Sequence, residues 1–255
     1  MRLFGKPRGR DRDHQPAVRA SVPFDAPLAP EEAFFAIGDV HGCLSQLGKL
    51  LLEIDKRDNA PKIVCLGDMI DRGDHSAGVL QLLLALSREM GDQLVCLRGN
   101  HEQMMLRFIE DPDRYESRWL SHGGLQTLAS FGVSRSGKRD PEGLRDRLLD
   151  AMGDDMVNWL RDLPSQWQTG NVATVHAAAD PALPMNFQST QVLAWGHPDF
   201  FRVNREDSIW VVHGHTITEE ATAQDGRISV DTGAYVNGRL TAAHIYPGGV
   251  DFIHT

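Results

Sequence analysis

Three times in the first part of the chain, an apolar run of strand length passes through a glycine-framed polar turn into an amphipathic helical stretch. "AFFAIG" (33–38) leads into "CLSQLGKLLLEIDKR", "KIVCLG" (62–67) into "AGVLQLLLALSREM", and "LVCLRG" (94–99) into "EQMMLRFIE". In the first helical stretch Leu44, Leu47, Leu51 and Ile54 repeat at the spacing of one helix face. Successive units of this kind predict an α/β fold built on a parallel or mixed sheet with crossover helices. A mostly helical insertion follows, from about 102 to 165, with its most loop-like part at "FGVSRSGKRDPEG" (131–143). Strand patterns then dominate, in "NVATVHA", "SIWVVHG", "GRISVDTG" and "RLTAAHIY". "DG" at 225–226 and "NG" at 237–238 are hairpin signals, so this last part is expected to form an antiparallel sheet.

No internal repeat and no domain-length linker interrupts the pattern. The expectation is one α/β domain over 31–255 behind a disordered N-terminal tail, 1–30. With 255 residues, 41% of them apolar, the chain can bury a full core. No stretch approaches the ~20 apolar residues that span a bilayer, and the N-terminus lacks the apolar segment of a signal peptide. Cys43, Cys65 and Cys96 are few and odd in number, and two of them lie in strand-like runs, so they read as core thiols in a cytoplasmic, reducing setting. The first 20 residues hold six basic and two acidic groups; the remainder holds 20 basic and 33 acidic. An acidic surface of that kind repels a long polyanion and argues against nucleic acid as the main partner.

The strand ends carry the chemistry. The first gives "GDVHG" (38–42), the second "GDMIDRG" (67–73) and the third "GNHE" (99–102); two later strands end in "VHAA" (His176) and "VVHGH" (His213, His215). A lone Asp or Asn after a strand is an ordinary turn or cap residue. Asn100 is also a favoured N-cap, and Glu102 suits a first helical turn. Five strands delivering carboxylate, amide or imidazole to one edge of a sheet ask for metal. Asp, His and Asn ligands without thiolates suit Mn²⁺, Fe²⁺ or Zn²⁺. Asp39 and His41, two apart on an extended stretch, face one side and can share an ion. Asp68 can bridge two ions through its two oxygens; Asn100, His176 and either His213 or His215 complete the second site. Paired divalent sites of this type activate water for attack at phosphorus.

The series "GDVHG … GDMIDRG … GNHE … VHA … HGH" resembles the phosphoprotein phosphatase family of metallophosphoesterases, nearest its small bacterial and phage members. These share the "GNHEQM" continuation and a "DTGA" strand like "SVDTGAYVNGRLT", and the likeness runs from about Phe34 to Ile245. The resemblance implies a calcineurin-like domain, a β-sandwich of mixed sheets flanked by helices, with a dinuclear metal site at the strand C-terminal ends. It implies Asp39, His41 and Asp68 at one ion and Asp68, Asn100, His176 and His215 at the other, with Mn²⁺ the expected metal. His213 is then structural. His101 is the implied general acid, oriented by Asp71, while Arg72 and Asn100 hold phosphoryl oxygens and a metal-bridging hydroxide attacks in line.

Two departures stand out. Relatives carry His-Ala-Gly where this chain has His176-Ala177-Ala178. Small relatives also carry Trp-x-Arg, with a second phosphate-holding arginine, where this chain has Trp195-Gly196-His197. Either His197 or Arg202 supplies that contact, phosphate binding is weaker, or His197 is a loop residue. Asp71 and the spelling "GNHE" point to a serine/threonine protein phosphatase acting on a phosphorylated protein or peptide. The alternative is a bis(5'-nucleosyl)-tetraphosphatase acting on diadenosine polyphosphates; a second is a phosphate-binding pseudo-phosphatase without turnover. Selectivity falls to the helical insertion and the loop 178–207, where Trp119, Trp167 and Trp195 are core residues or stacking platforms.

Overall fold

A computed structural model describes residues 22–57, 62–135 and 137–255. The three sequence units become β1 (Phe34–Ile37), α1 (Leu44–Asp55), β2 (Lys62–Cys65), α2 (Ser76–Met90), β3 (Leu94–Cys96) and α3 (Asn100–Glu110). The insertion is helical as expected: α4 (Pro112–Trp119), α5 (Leu125–Ser130), α6 (Pro141–Met152) and α7 (Asp154–Asp162). Asp111 and Asp140 cap α4 and α6 through their side chains, each with proline in the first turn. The rest comprises β4 (Gln166–Thr169), β5 (Val172–Val175), α8 (Thr190–Trp195), β6 (Trp210–His213), β7 (Thr222–Gln224) and β8 (Arg227–Ser229). Then come α9 (Ala234–Asn237), β9 (Thr241–Tyr246) and β10 (Gly249–His254).

These strands form two five-stranded mixed sheets, ordered β10-β9-β1-β2-β3 and β4-β5-β6-β8-β7. The strand-rich last part is therefore not the one antiparallel sheet expected. β5, β6 and β8 run parallel, and β9 crosses to the first sheet, where it lies antiparallel to β1. The reason is burial on both faces. Ala242 packs with the helices, while Ala243 and Ile245 pack between the sheets, so β9 belongs in a sheet interior. Asp225-Gly226 does make the hairpin between β7 and β8, with φ of 51° and 75°. Asn237-Gly238 instead closes α9, with Gly238 left-handed at φ 79°.

Side-chain alternation builds two layers of core. Phe34 and Ala36 meet Val172, Val212 and Ile228 between the sheets; Phe35 and Ile37 meet Leu47, Leu50, Leu80 and Phe108 under the helices. Cys65 and Cys96 are buried free thiols in the helix-side layer, and Cys43 is a half-buried free thiol. Of the tail expected over 1–30, residues 1–21 lie outside the described residues. Residues 22–30 run along the second sheet: Phe24 packs edge-on against Trp210, whose Nε1 donates to Ala26 O at 3.0 Å, and Asn171 donates to Pro27 O at 2.8 Å. No helix among the described residues is long and apolar enough to cross a membrane.

Candidate metal centre

The parallel strands of both sheets end at one place, and Asp68, the residue following the second unit's Gly67, lies at its middle. Its Oδ2 is 3.5 Å from His41 Nε2 and 3.8 Å from His101 Nε2; its Oδ1 is 3.4 Å from His176 Nε2. Two clusters with ligand atoms within 4.8 Å of one another share it: His41, Asp68 and His101, and Asp68, His176 and His215. Asn100 Oδ1 joins the second at 2.8 Å from His176 Nε2. Asp39 lies beside it, with its oxygens accepting the backbone N–H of His215 at 3.0 and 3.1 Å. All of these side chains are buried apart from His215, which is half-buried.

The backbone is bent hard to achieve this. His41, Asp68, Asp71, Arg72 and His215 all have positive φ, between 42° and 69°. Left-handed non-glycine residues cost roughly 1–3 kcal/mol each and persist only where surrounding structure imposes them. Glu102 is that structure on the first-sheet side. Its buried carboxylate accepts from Gly99 N (2.9 Å), Asp68 N (3.0 Å) and Met69 N (2.8 Å), binding the second and third turns together. Asp68 Oδ1 in return accepts from His101 N at 3.0 Å, at the positive end of α3. Gly99, rather than Asn100, is the N-cap of α3, and glycine is required there because a Cβ would overlap the Asp68 carboxylate. Asn100 is thereby the first helical residue, with its side chain free to face His176.

The imidazoles are oriented as cation ligands. His41 Nδ1 donates to Ile70 O (2.7 Å) and His176 Nδ1 to Leu66 O (2.9 Å), which aims both Nε2 atoms into the site. His41 Nε2 accepts from the Arg72 guanidinium at 3.0 Å. Burial lowers His41 to about 3 and His215 to about 4, so both offer lone pairs rather than protons at neutral pH. Burial also presses His176 down, yet the Asp68 and Asp39 carboxylates override it and raise it to about 10. Positive charge is strongly favoured on that nitrogen, and a divalent ion is the alternative to a proton. Burial, with Asp231 nearby, raises Asp39 well above the usual carboxylate range. Asp68 is also pushed up by burial, but His176 and His101 outweigh that and hold it well below the range. Buried carboxylates, neutral imidazoles aimed inward and an amide oxygen fit a pair of divalent ions.

His101 lies in the first cluster by distance but is held differently from the other imidazoles. Its Nδ1 pairs with Asp71 Oδ2 at 2.7 Å, while its Nε2 is buried without a hydrogen-bond partner. Burial lowers its pKa, but Asp68 and Asp71 outweigh this and the net shift is upward, which favours the protonated ring. Asp71 is fixed in turn by Thr127 Oγ1 (2.6 Å) and by Trp119 Nε1 (3.1 Å to each oxygen). Arg72 crosses the face of Tyr235 at 4.8 Å. Gly123, at φ 106°, leaves room for the Arg72 backbone, which a Cβ there would strike.

His213 is structural: its Nδ1 donates to Gly214 O at 3.0 Å and its Nε2 meets Ser229 Oγ at 2.9 Å. His197 lines a pocket with His215, but its Nδ1 accepts from Asp199 N (3.3 Å) and its Nε2 faces Asp180 (3.7 Å). Arg202 is exposed and does not line that pocket. The staple by Glu102, the Thr127 and Trp119 support of Asp71, and the Tyr235 platform have no signal in the sequence beyond apolar or polar patterning. Asp231 had one, in the "DTGA" strand.

A model of the calcineurin-like phosphoesterase family matches residues 33–219. A symmetrical bis(5'-nucleosyl)-tetraphosphatase of Acidovorax ebreus is 30% identical over 153 residues, 58% of this chain and 45% of the relative. The asymmetrical bis(5'-nucleosyl)-tetraphosphatase PrpE of Oceanobacillus iheyensis is 27% identical over 230 residues, 81% of this chain and 86% of the relative. Serine/threonine-protein phosphatase 1 of Salmonella typhimurium is 40% identical over 90 residues, 35% of this chain and 38% of the relative. The chain spans a little under half the length of the symmetrical relatives it matches first. A solved structure of a putative diadenosine tetraphosphatase has the same fold, with a TM-score of 0.62 at 20% identity over 90% of this chain and 98% of that one. By its matched residues and its architecture, the chain belongs to the calcineurin-like phosphoesterase family.

Proposed function

We propose that this chain hydrolyses dinucleoside polyphosphates at a two-metal centre. Family membership sets the reaction class, hydrolysis at phosphorus. Asp71 and "GNHE" point from the sequence toward phosphoprotein, whereas relatives aligned over most of the chain are named for dinucleotides. The observation that carries the reading is a pocket of about 370 Å³ that opens at His215, walled by Trp195, His197, Pro198 and Phe201. Phe201 is 54% exposed there. Pockets of roughly 300–1,000 Å³ hold small ligands, and aromatic walls beside a phosphate site suit a nucleoside.

Divalent ions, Mn²⁺ foremost, with Fe²⁺ and Zn²⁺ compatible, would be held by Asp39, His41 and Asp68 and by Asp68, Asn100, His176 and His215. They supply Lewis acidity at phosphoryl oxygens and bring water within reach of deprotonation near neutral pH. The remaining steps belong to the chain. Arg72, braced on Tyr235, orients the phosphoryl group by charge-assisted hydrogen bonds. His101 gives its Nε2 proton to the departing oxygen while Asp71 holds the resulting imidazole in register. The three free thiols suit a reducing, cytoplasmic setting.

One observation favours the phosphoprotein reading as second choice. The Asp71–His101 pair is fully built, with Thr127 and Trp119 both committed to Asp71. An alkoxide leaving from serine or threonine needs that proton far more than a leaving phosphate does. The test is hydrolysis of diadenosine tetraphosphate and of a phosphothreonine peptide side by side with Mn²⁺, taking Asp68→Asn as the blank. Dinucleotide turnover dominating supports the proposal; peptide turnover dominating replaces it with the second reading.

A further inference from the structure

One cavity outside the metal centre is unlike the rest of this acidic chain, whose net charge is −9. It measures about 410 Å³ and gathers Arg98, Arg107 and Arg161, with Glu110 its lone acid. The three arginines come from separate elements: the residue before Gly99 and the last turns of α3 and α7. None of them makes an ion pair among the described residues, which is equally true of Arg114, Arg118, Arg202 and Arg227; what sets the three apart is that they converge on one cavity. Arg98 is anchored rather than loose. Its Nη2 donates to Arg161 O (2.9 Å) and Leu163 O (2.7 Å), and its Nε is buried without a partner.

The cavity adjoins the proposed nucleoside pocket through one hydrogen bond. Gln103, one of its walls, accepts from Trp195 Nε1 at 2.9 Å, and Trp195 walls the pocket at His215. Arg118 covers a face of Trp195 at 4.8 Å, adding a fourth guanidinium at the partition. Along α3, seven residues at 1.5 Å each separate Asn100 at the metal end from Arg107, roughly 10 Å. A tetraphosphate with its second ribose spans that distance. Guanidinium forks match phosphate oxygens in pairs, which a carboxylate-rich surface elsewhere on the chain cannot do.

From this we infer that the arginine cavity receives the distal, non-reacting phosphates of a polyphosphate substrate, so that the site reads phosphate-chain length. The inference rests on the proposed function for its substrate, but its test does not. Hydrolysis of p-nitrophenyl phosphate, which has one phosphate, is followed with free Mn²⁺ held constant, and inhibition by tripolyphosphate is compared with inhibition by orthophosphate. The wild type is expected to favour tripolyphosphate by about tenfold or more, the scale of one charge-assisted contact. The double variant Arg107→Glu with Arg161→Glu should lose that preference while orthophosphate inhibition and p-nitrophenyl phosphate turnover stay unchanged. The milder pair Arg107→Gln with Arg161→Gln should lose part of it, and unchanged turnover certifies the fold of both. No preference in the wild type, or a preference that survives both variants, overturns the inference. So does a loss of aryl phosphate turnover equal to the loss of tripolyphosphate inhibition, which would mark a structural role. If the preference behaves as expected but diadenosine tetraphosphate is not hydrolysed, the cavity stands as a polyphosphate site and the proposed substrate falls.

Discussion

In the first sheet, β1, β2 and β3 run parallel and end in turns that carry four left-handed non-glycine residues, His41, Asp68, Asp71 and Arg72. In the second, β5, β6 and β8 are also parallel, yet their ends open into loops and contribute His176, His215 and Asp231 with only His215 left-handed. The first half is held internally, by Glu102 across its second and third turns and by the start of α3. Among the described residues the second half has no buried carboxylate staple. Gly214 N donates to His176 O (2.8 Å) and His213 Nε2 meets Ser229 Oγ (2.9 Å) across its strand ends. It also leans on the first half: His176 Nδ1 donates to Leu66 O, and His215 N donates to the Asp39 carboxylate. The centre therefore forms across the seam between the sheets, with strain on one side and dependence on the other.

The largest effect should come from Asp68→Asn, because Asp68 alone belongs to both histidine clusters. Turnover should vanish and both ions should be lost from the purified protein, as read by elemental analysis. Retention of one ion per chain would show that the two halves bind independently, and the dependence described above would fail.

His101→Asn comes next. Losing a general acid costs about two to four orders of magnitude in turnover; metal content should stay unchanged, which separates the acid from a ligand role for Nε2, the atom 3.8 Å from Asp68 Oδ2. The drop should be larger for an alkyl phosphate than for a dinucleotide, whose leaving group is less basic. The pH profile carries the sign. The net upward shift of His101 extends the proton-donating form to higher pH than in a free imidazole, and that form is lost as pH rises through the shifted value. Asp71→Asn removes one of the groups raising it, so the alkaline limb should move to lower pH. A limb that stays in place would take the proton donor elsewhere.

Glu102→Gln sharpens the comparison directly. The substitution keeps one acceptor and leaves other buried backbone N–H groups facing an amide. Loss of support behind metal ligands typically costs about 10–100-fold in metal affinity. Since the second half leans on the first, apparent affinity should fall for both ions together in a Mn²⁺ titration. Loss of the first ion alone would separate the halves.

Much of this was legible because glycine and charge mark turns in sequence. "GDVHG", "GDMIDRG" and "GNHE" announce the strand ends of the first sheet, and their candidate ligands follow by residue type. The second sheet was harder to read. β9, with buried residues on both faces, follows the second sheet's strands in the chain, and periodicity could not say that it returns to the first sheet. Asn237-Gly238 has the composition of a hairpin turn yet ends a helix, because only the packing of β9 decides where the chain goes next. Glu102 was invisible as a staple for a different reason: its partners are backbone N–H groups some thirty residues away, and backbone atoms leave no trace in sequence. The unpaired arginines were hidden in the same way, since pairing is a property of folded neighbours.

The smallest effect concerns His197, where the sequence departs from its relatives. A phosphate-holding role needs a cationic imidazole with a free N–H. Here Nδ1 accepts from Asp199 N and Nε2 lies 3.7 Å from Asp180, with both side chains about one-fifth exposed. Partly solvated pairs of this kind are worth about 0–1 kcal/mol, and breaking this one frees no ligand of the centre. His197→Ala should therefore change orthophosphate inhibition by less than about fivefold, at pH 6 and at pH 8 alike. If the wild type binds phosphate much more tightly at pH 6 than at pH 8 and the variant loses that difference, His197 abandons Asp180 for the substrate. The second phosphate contact would then come from the nucleoside-pocket wall, and the second half would carry more of the chemistry than its one left-handed residue suggests.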